Sequence, residues 1–195
     1  VVESYPMKEG VLFDGPPTPT NFSYGFAKRC MAAHIDSYVK QYNKEWCYLI
    51  PCNLYSEYDK YTEHNSHFVS ALVRKLYEAD EEIMLYGTGK PLRQFMYGGD
   101  LAKVIKYMID NDIVDNFNVA PSEVHSIREI AEIAKSAIKK KDIAIRFDST
   151  KPDGQYRKDV DSSKLLNTLD KDFKFTPLKK GIAKVYDIFS KRHNR

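Results

Sequence analysis

The chain has 195 residues, with 30 Lys and Arg set against 27 Asp and Glu for a net charge of +3. That length builds one core, or one and a half; the near-balanced charge carries no nucleic-acid footprint, and no apolar run approaches the roughly 20 residues of a membrane span. Three cysteines, Cys30, Cys47 and Cys52, lack metal-ligand spacing. They read as reduced thiols of a soluble cytoplasmic protein, with no metal expected. No signal peptide is apparent, and the opening Val1-Val2 without a methionine suggests sequence upstream.

In chain order, residues 1–21 are rich in Pro and Gly (Pro6, Gly15, Pro16, Pro17, Pro19) and read as loop. Thr20 or Asn21 can cap a helix from Phe22 to about Tyr42, where Phe26, Cys30, Ala33 and Val39 recur at helical spacing. Trp46 to Pro51 is a short apolar run that suits a buried parallel strand, and Asn53 to Asn65 reads as polar loop. Ser66 can cap a second helix to about Ala79. Ile83–Tyr86 and Arg93–Tyr97 are strands around the turn Gly87-Thr88-Gly89-Lys90-Pro91. Asp100 can cap a helix to Asn111, Phe117–Val119 is a strand, and Ser126-Ile127-Arg128-Glu129 fits a capping box opening a helix to about Lys139. Lys139-Lys140-Lys141 would complement a helix dipole at its C-terminal end. Ile143–Phe147 is a strand, Lys151–Lys158 a loop and Leu178–Lys191 a final helix. Strands alternate with helices, so the class is α/β with mostly parallel pairing.

Tyr24 and Lys28 stand four apart, which stacks both side chains on one face of the first helix. A lysine ammonium favours the phenolate form of a tyrosine beside it, and such a phenol can pass a proton to a substrate oxygen. An exposed surface pair is the other reading of the same spacing. His67 falls at the first turn of the second helix, where the positive dipole end disfavours imidazolium. A neutral imidazole there can exchange protons, or it can simply satisfy its own helix cap. A dinucleotide cradle needs a glycine-rich turn between strand and helix. Gly87-Thr88-Gly89 leads instead into Pro91 and a further strand, and no Gly-x-Gly-x-x-Gly run occurs.

The run Gly15-Pro16-Pro17 to Asn21-Phe22-Ser23-Tyr24-Gly25-Phe26-Ala27-Lys28-Arg29 resembles the extended short-chain dehydrogenase/reductases. Four more stretches agree in order and spacing: Pro51-Cys52-Asn53-Leu54-Tyr55, Asn65-Ser66-His67-Phe68-Val69, Tyr86-Gly87-Thr88-Gly89-Lys90-Pro91-Leu92-Arg93-Gln94-Phe95 and Lys151-Pro152-Asp153-Gly154. Within that superfamily they are similar to the epimerase/reductases that turn GDP-4-keto-6-deoxy-D-mannose into GDP-L-fucose by inversion at C3 and C5 and NADPH-dependent reduction at C4.

The resemblance implies the C-terminal two-thirds of such an enzyme. Residues 1–60 would be the end of a Rossmann-type NADP-binding domain, and 61–195 mainly a smaller α/β nucleotide-sugar domain, with 93–120 returning to the Rossmann sheet. It implies Tyr24 as general acid, Lys28 on the nicotinamide ribose, and His67 as the acid/base for inversion, close to the cofactor. Pro51, Cys52, Asn53 and Leu54 would line the nicotinamide end. Asn53, Lys75, Tyr86, Arg93 and Asp153 would hold substrate, with Tyr86 stacking on guanine and Arg93 on a phosphate. A homodimer through helices 22–42 and 66–79 is implied as well.

Two departures stand out. Ser56-Glu57 replaces the family's usual Gly-Pro, which should bend the loop differently, and Gly98-Gly99 suggests local flexibility. The family's catalytic serine and epimerisation cysteine would precede Val1. The 195 residues alone should therefore bind NADPH poorly and be inactive. A 4-epimerase or 4,6-dehydratase, or a non-catalytic nucleotide-sugar-binding fragment, are the alternatives.

Overall fold

The computed structural model describes residues 4–140 and 142–193, so Val1, Val2, Glu3, Lys141, Asn194 and Arg195 lie outside the described residues. The elements are α1 (Phe22–Tyr42), β1 (Leu49–Pro51), β2 (Asn53–Tyr55), α2 (Phe68–Glu78), β3 (Glu82–Tyr86), β4 (Leu92–Arg93), β5 (Phe95–Tyr97), α3 (Gly98–Asp110), β6 (Phe117–Val119), β7 (His125–Ser126), α4 (Ile127–Ala137), β8 (Ala144–Asp148), α5 (Ser163–Thr168) and α6 (Leu178–His193). The strands pair as β1 with β6, β2 with β5 and β3 with β8, all parallel, and β4 with β7 antiparallel. Each parallel partner is reached through a crossover containing helix, as parallel pairing requires.

Two cores result. In one, α2, α4 and α6 cover β3 and β8 and bury Leu72, Val73, Leu76, Ile130, Ala134, Ile182 and Val185. In the other, α3 and α5 close over β5 and β6 around Met96, Val104, Phe117 and Leu165. The Ser126–Glu129 capping box forms in both directions at the start of α4. Asn53 to Tyr55 is strand, contrary to its polar composition, because it pairs with Phe95 to Tyr97.

Asp100 does not cap α3, which begins at Gly98. It is wholly buried in the first turn and accepts hydrogen bonds from Thr176 N (2.6 Å), Thr176 Oγ1 (3.0 Å) and Lys103 Nζ (2.8 Å). Gly98-Gly99 is helix rather than a flexible joint. A Cβ at Gly99 would come within 2.5 Å of the Tyr97 ring, so the glycine makes room for that tyrosine. Lys140 complements a helix end, but that of α2: its Nζ donates to Ala79 O at 3.2 Å.

Helix α1 buries only Ala32. Its apolar residues lie on two opposite sides, Phe22 and Phe26 on one, Tyr24, Met31, Tyr38 and Tyr42 on the other, at 100° per residue. All six are exposed. The apolar side of α2, by contrast, is covered by its own core.

Glu57 shows what the Ser56-Glu57 departure does. Its carboxylate is buried and accepts from Tyr97 Oη at 2.8 and 2.9 Å, with Lys184 Nζ 3.7 Å away, and its carbonyl accepts from Arg192 at 2.9 Å. Burial alone would raise this carboxyl, but its own backbone amide, the Tyr97 hydroxyl and Lys184 outweigh it and hold it below the ordinary carboxylate range. A carboxyl depressed in the folded state stabilises above its unfolded value, about 4.3. The contribution is lost as pH falls through the folded value. Glu57→Gln is expected to lower stability by about 1–2 kcal/mol at pH 7 and by less at pH 3. Urea midpoints at the two pH values check this; an equal loss at both would refute it.

Candidate active site

A cleft of about 1740 Å³ opens between the Pro-rich start of the chain, α1, the β1–β2 connection, His67 and the segment after Asp153. Tyr24 lies on it, 64% exposed, and the Lys28 ammonium is 5.6 Å from the centre of its ring. The helical spacing thus brings the pair together on one face. The Pro-rich loop is clamped beneath this turn: Arg29 donates to the Gly15 carbonyl and, at 3.1 Å, to that of Asp14. Gly25 packs on Pro17, whose Cβ would be 2.9 Å from an added Cβ, so the first turn of α1 sits as low as it can on the loop.

Pro51 to Leu54 form the adjoining wall. Cys52 N donates to Val119 O at 3.0 Å, and Asn53 Nδ2 to Gln94 O at 2.9 Å, so the β2–β5 pairing fixes this edge. Burial pushes the Cys52 thiol up to about 12, which its own backbone only partly offsets, and leaves it no nucleophile. His67 is also on the cleft and exposed. It is the residue before α2, not in its first turn, and its ring makes no hydrogen bond among the described residues. Ser66 does not cap either; its hydroxyl donates to the Thr62 carbonyl. The imidazole is therefore free to meet a ligand instead of being used by its helix.

Tyr86, Arg93 and Asp153 also line the cleft. Tyr86 is 70% exposed, with the ammoniums of Lys75 and Lys151 5.7 and 5.9 Å from its ring centre. Lys75 is absent from the cleft wall; it donates to Met84 O at 2.6 Å and reaches the site only past Tyr86. Arg93 is half-buried and bonds the carbonyls of Leu92 (2.8 Å) and Tyr156 (3.4 Å). Burial lowers its guanidinium, an effect that Asp153 and Tyr5 oppose. Asp153 accepts from Thr88 N (2.6 Å) and Thr88 Oγ1 (2.7 Å), bonds that hold its carboxyl below the ordinary range.

The residues that sequence reasoning missed come mostly from one strap. Gln155, Tyr156, Arg157, Lys158 and Val160 line the cleft, with Tyr5 and Met7 bonded alongside them. Leu92 N donates to Tyr156 O at 2.8 Å, and Met7 N to Asp159 O at 3.0 Å, so the strap runs between β4 and the first residues of the chain. The two adjacent cations after the Lys-Pro-Asp-Gly turn were the available signal.

A dinucleotide's nicotinamide end fits what is present. His67 and Pro51 to Leu54 line the cleft, and Lys28, which is not on its wall, stands beside the ring of Tyr24, which is. Its pyrophosphate does not fit the Gly-Thr-Gly turn. Gly87 and Gly89 have φ of +83° and +76°, and the space where their Cβ atoms would stand is filled by Asp153 Oδ1 at 2.3 Å and Phe147 Cε1 at 2.6 Å. That turn is committed to packing. Chemically, the cleft offers a phenol with an ammonium by its ring, a free imidazole, and further aromatic and cationic groups. Among the described residues, no cluster of His, Cys, Asp and Glu could hold a metal ion, and no helix is long and apolar enough to cross a membrane.

The chain is similar to the GDP-L-fucose synthase of Dictyostelium discoideum, 34% identical over 185 residues that are 92% of this chain and 57% of that protein. A GDP-L-colitose synthase of Yersinia pseudotuberculosis is 33% identical, over 96% of this chain and 62% of that protein. Among solved structures, the GDP-L-fucose synthetase of Naegleria fowleri bound to NADP superposes with a TM-score of 0.87 at 28% identity, covering 98% of this chain and 62% of that one. The chain thus spans a little under two thirds of these relatives. Residues 2–120 match the model of the NAD dependent epimerase/dehydratase family, with the parallel α/β fold described above, and the chain belongs to that family.

Proposed function

We propose that this chain forms the substrate side and catalytic helix of a GDP-4-keto-6-deoxy-D-mannose 3,5-epimerase/4-reductase, the activity that yields GDP-L-fucose. The observation that supports the reading is that Tyr24, with Lys28 beside its ring, lines one cleft together with His67, Tyr86, Arg93 and Asp153. The names of the similar proteins support it. NADPH, when bound, supplies the hydride for C4. Lys28, Pro51, Cys52, Asn53, Leu54 and His67 would hold its nicotinamide end, Cys52 through its backbone alone.

The chain's own groups supply the proton chemistry. The C4 ketone acidifies the hydrogens at C3 and C5, and the free His67 imidazole moves a proton at those carbons. Tyr24 Oη then protonates the C4 oxygen, with the Lys28 ammonium next to it. Asn53, Tyr86, Arg93 and Asp153 orient the GDP-sugar, and Lys75 supports Tyr86 from behind. The exposed apolar residues of α1 suit a second copy of the chain in a cytoplasmic homodimer.

His67→Gln separates this reading from a 4-epimerase or 4,6-dehydratase. In the chain joined to a glycine-rich NADP-binding half, the variant is expected to lose about a hundredfold in deuterium uptake from D₂O at C3 and C5. NADPH oxidation by an already inverted 4-keto sugar should persist. Undiminished exchange would overturn the assignment.

A further inference from the structure

Arg157 and Lys158 are neighbours on the strap, yet their charges meet opposite fates. Arg157 is spent on the buried carboxylate of Asp159, with Nε and Nη2 at 2.8 and 2.5 Å from its two oxygens. Lys158 is half-buried on the cleft wall and has no ion pair or hydrogen bond of its side chain among the described residues. The charge nearest to it in effect is another cation, Arg93. Arg93 in turn bonds only main-chain carbonyls and no carboxylate. Two cations thus face one cavity; Asp153 acts on Arg93 from a distance, its carboxylate bonded to Thr88, and no carboxylate among the described residues pairs with Lys158. Burying a charge unpaired is costly unless an anion arrives to pair it.

We propose that Lys158 is a second phosphate-binding residue of the cleft, holding one phosphate of a nucleoside diphosphate ester while Arg93 holds the other. The inference deepens the nucleotide-sugar reading above and rests on it. A diphosphate diester carries one negative charge on each phosphate, so the two cations match it in number. The guanidinium offers a fork and the ammonium a point charge, both suited to phosphate oxygens. The backbone on either side of Lys158 is fixed: Tyr156 O accepts from Leu92 N at 2.8 Å, Asp159 O from Met7 N at 3.0 Å, and Val160 N donates to Gln94 Oε1 at 2.8 Å. The ammonium is therefore presented from a rigid strap instead of a loose loop. Burial and Arg93 together lower it from the ordinary lysine range, as expected of a cation awaiting an anion.

Calorimetric titration of the chain with GDP, GMP and guanosine tests this, with circular dichroism confirming that each variant is folded. Lys158→Met is expected to weaken GDP about tenfold, the loss of one charge-assisted contact. GMP should be weakened less and guanosine not at all, and Lys158→Arg should recover GDP binding. Lys158→Gln, which keeps a polar side chain on the strap, should behave as Lys158→Met and stands in for it if that variant fails to fold. Three results would overturn the proposal. If Lys158→Met or Lys158→Gln binds GDP as well as the parent while Arg93→Met binds it worse, the lysine has no such role and the nucleotide reading survives. If guanosine is weakened as much as GDP, the lysine merely shapes the strap. If the parent chain itself binds no GDP, the nucleotide reading falls and this inference with it.

Discussion

Tyr24→Phe is expected to lower the rate of C4 reduction by about a thousandfold, within the range general acid catalysis contributes, in the chain joined to an NADP-binding half. The substitution keeps the ring, and with it the face that Lys28 approaches at 5.6 Å. It keeps the fit of the first turn of α1 against Pro17. Only the hydroxyl goes. Because Tyr24 is 64% exposed on the cleft, its loss opens no cavity, and the unfolding midpoint should stay put. The defect should therefore fall on kcat and leave KM nearly unchanged, the mark of an interaction made in the transition state alone. Deuterium uptake at C3 and C5, which is assigned to His67, should survive. Stopped-flow NADPH oxidation and exchange on the same samples decide it. Full reduction activity in the Phe variant would remove Tyr24 from the mechanism.

How much of this was legible follows from where each residue sits. The Tyr24–Lys28 pair was, because a helix converts a spacing of four into contact on one face, and the structure delivers that contact. The extent of α1 was legible too, from its periodicity. Which side of it is covered was not, because apolar residues occupy both. Asn53 to Tyr55 read as loop because strand identity there comes from its partner at Phe95 to Tyr97, more than forty residues away. The same limit hid the strap at 155–160: its residues have no periodicity and become a cleft wall only by lying between β4 and the start of the chain. His67 was visible as a candidate, but its freedom was not, since that depended on Ser66 turning back to Thr62 instead of capping. Glu57 looked like an anomaly in the β2 loop until Tyr97 and Lys184 were seen around it.

That loop also sets the second large effect. Gly181, in the first turn of α6, passes Tyr55 so closely that an added Cβ would lie 2.0 Å from the Tyr55 hydroxyl and 2.9 Å from Cζ. Tyr55 is 1% exposed and its hydroxyl has no hydrogen-bond partner among the described residues, so it has nowhere to retreat and no bond there that holds its present position. Gly181→Ala is expected to cost about 3 kcal/mol, the upper end of overpacking in a rigid interior, against a gain near 1 kcal/mol from helix propensity. Tyr55→Phe removes a buried hydroxyl without stranding a partner, which is neutral or stabilising. It also removes the 2.0 Å contact. In the double variant the alanine should therefore cost about 1 kcal/mol, leaving a coupling of about 2 kcal/mol between two contacting sites. Urea denaturation of the parent, both single variants and the double variant measures that coupling. Additive losses would show that α6 shifts away from β2 to admit the methyl group, and that the close approach at Gly181 is not what fixes the helix over β2 and the turn that follows it to Glu57.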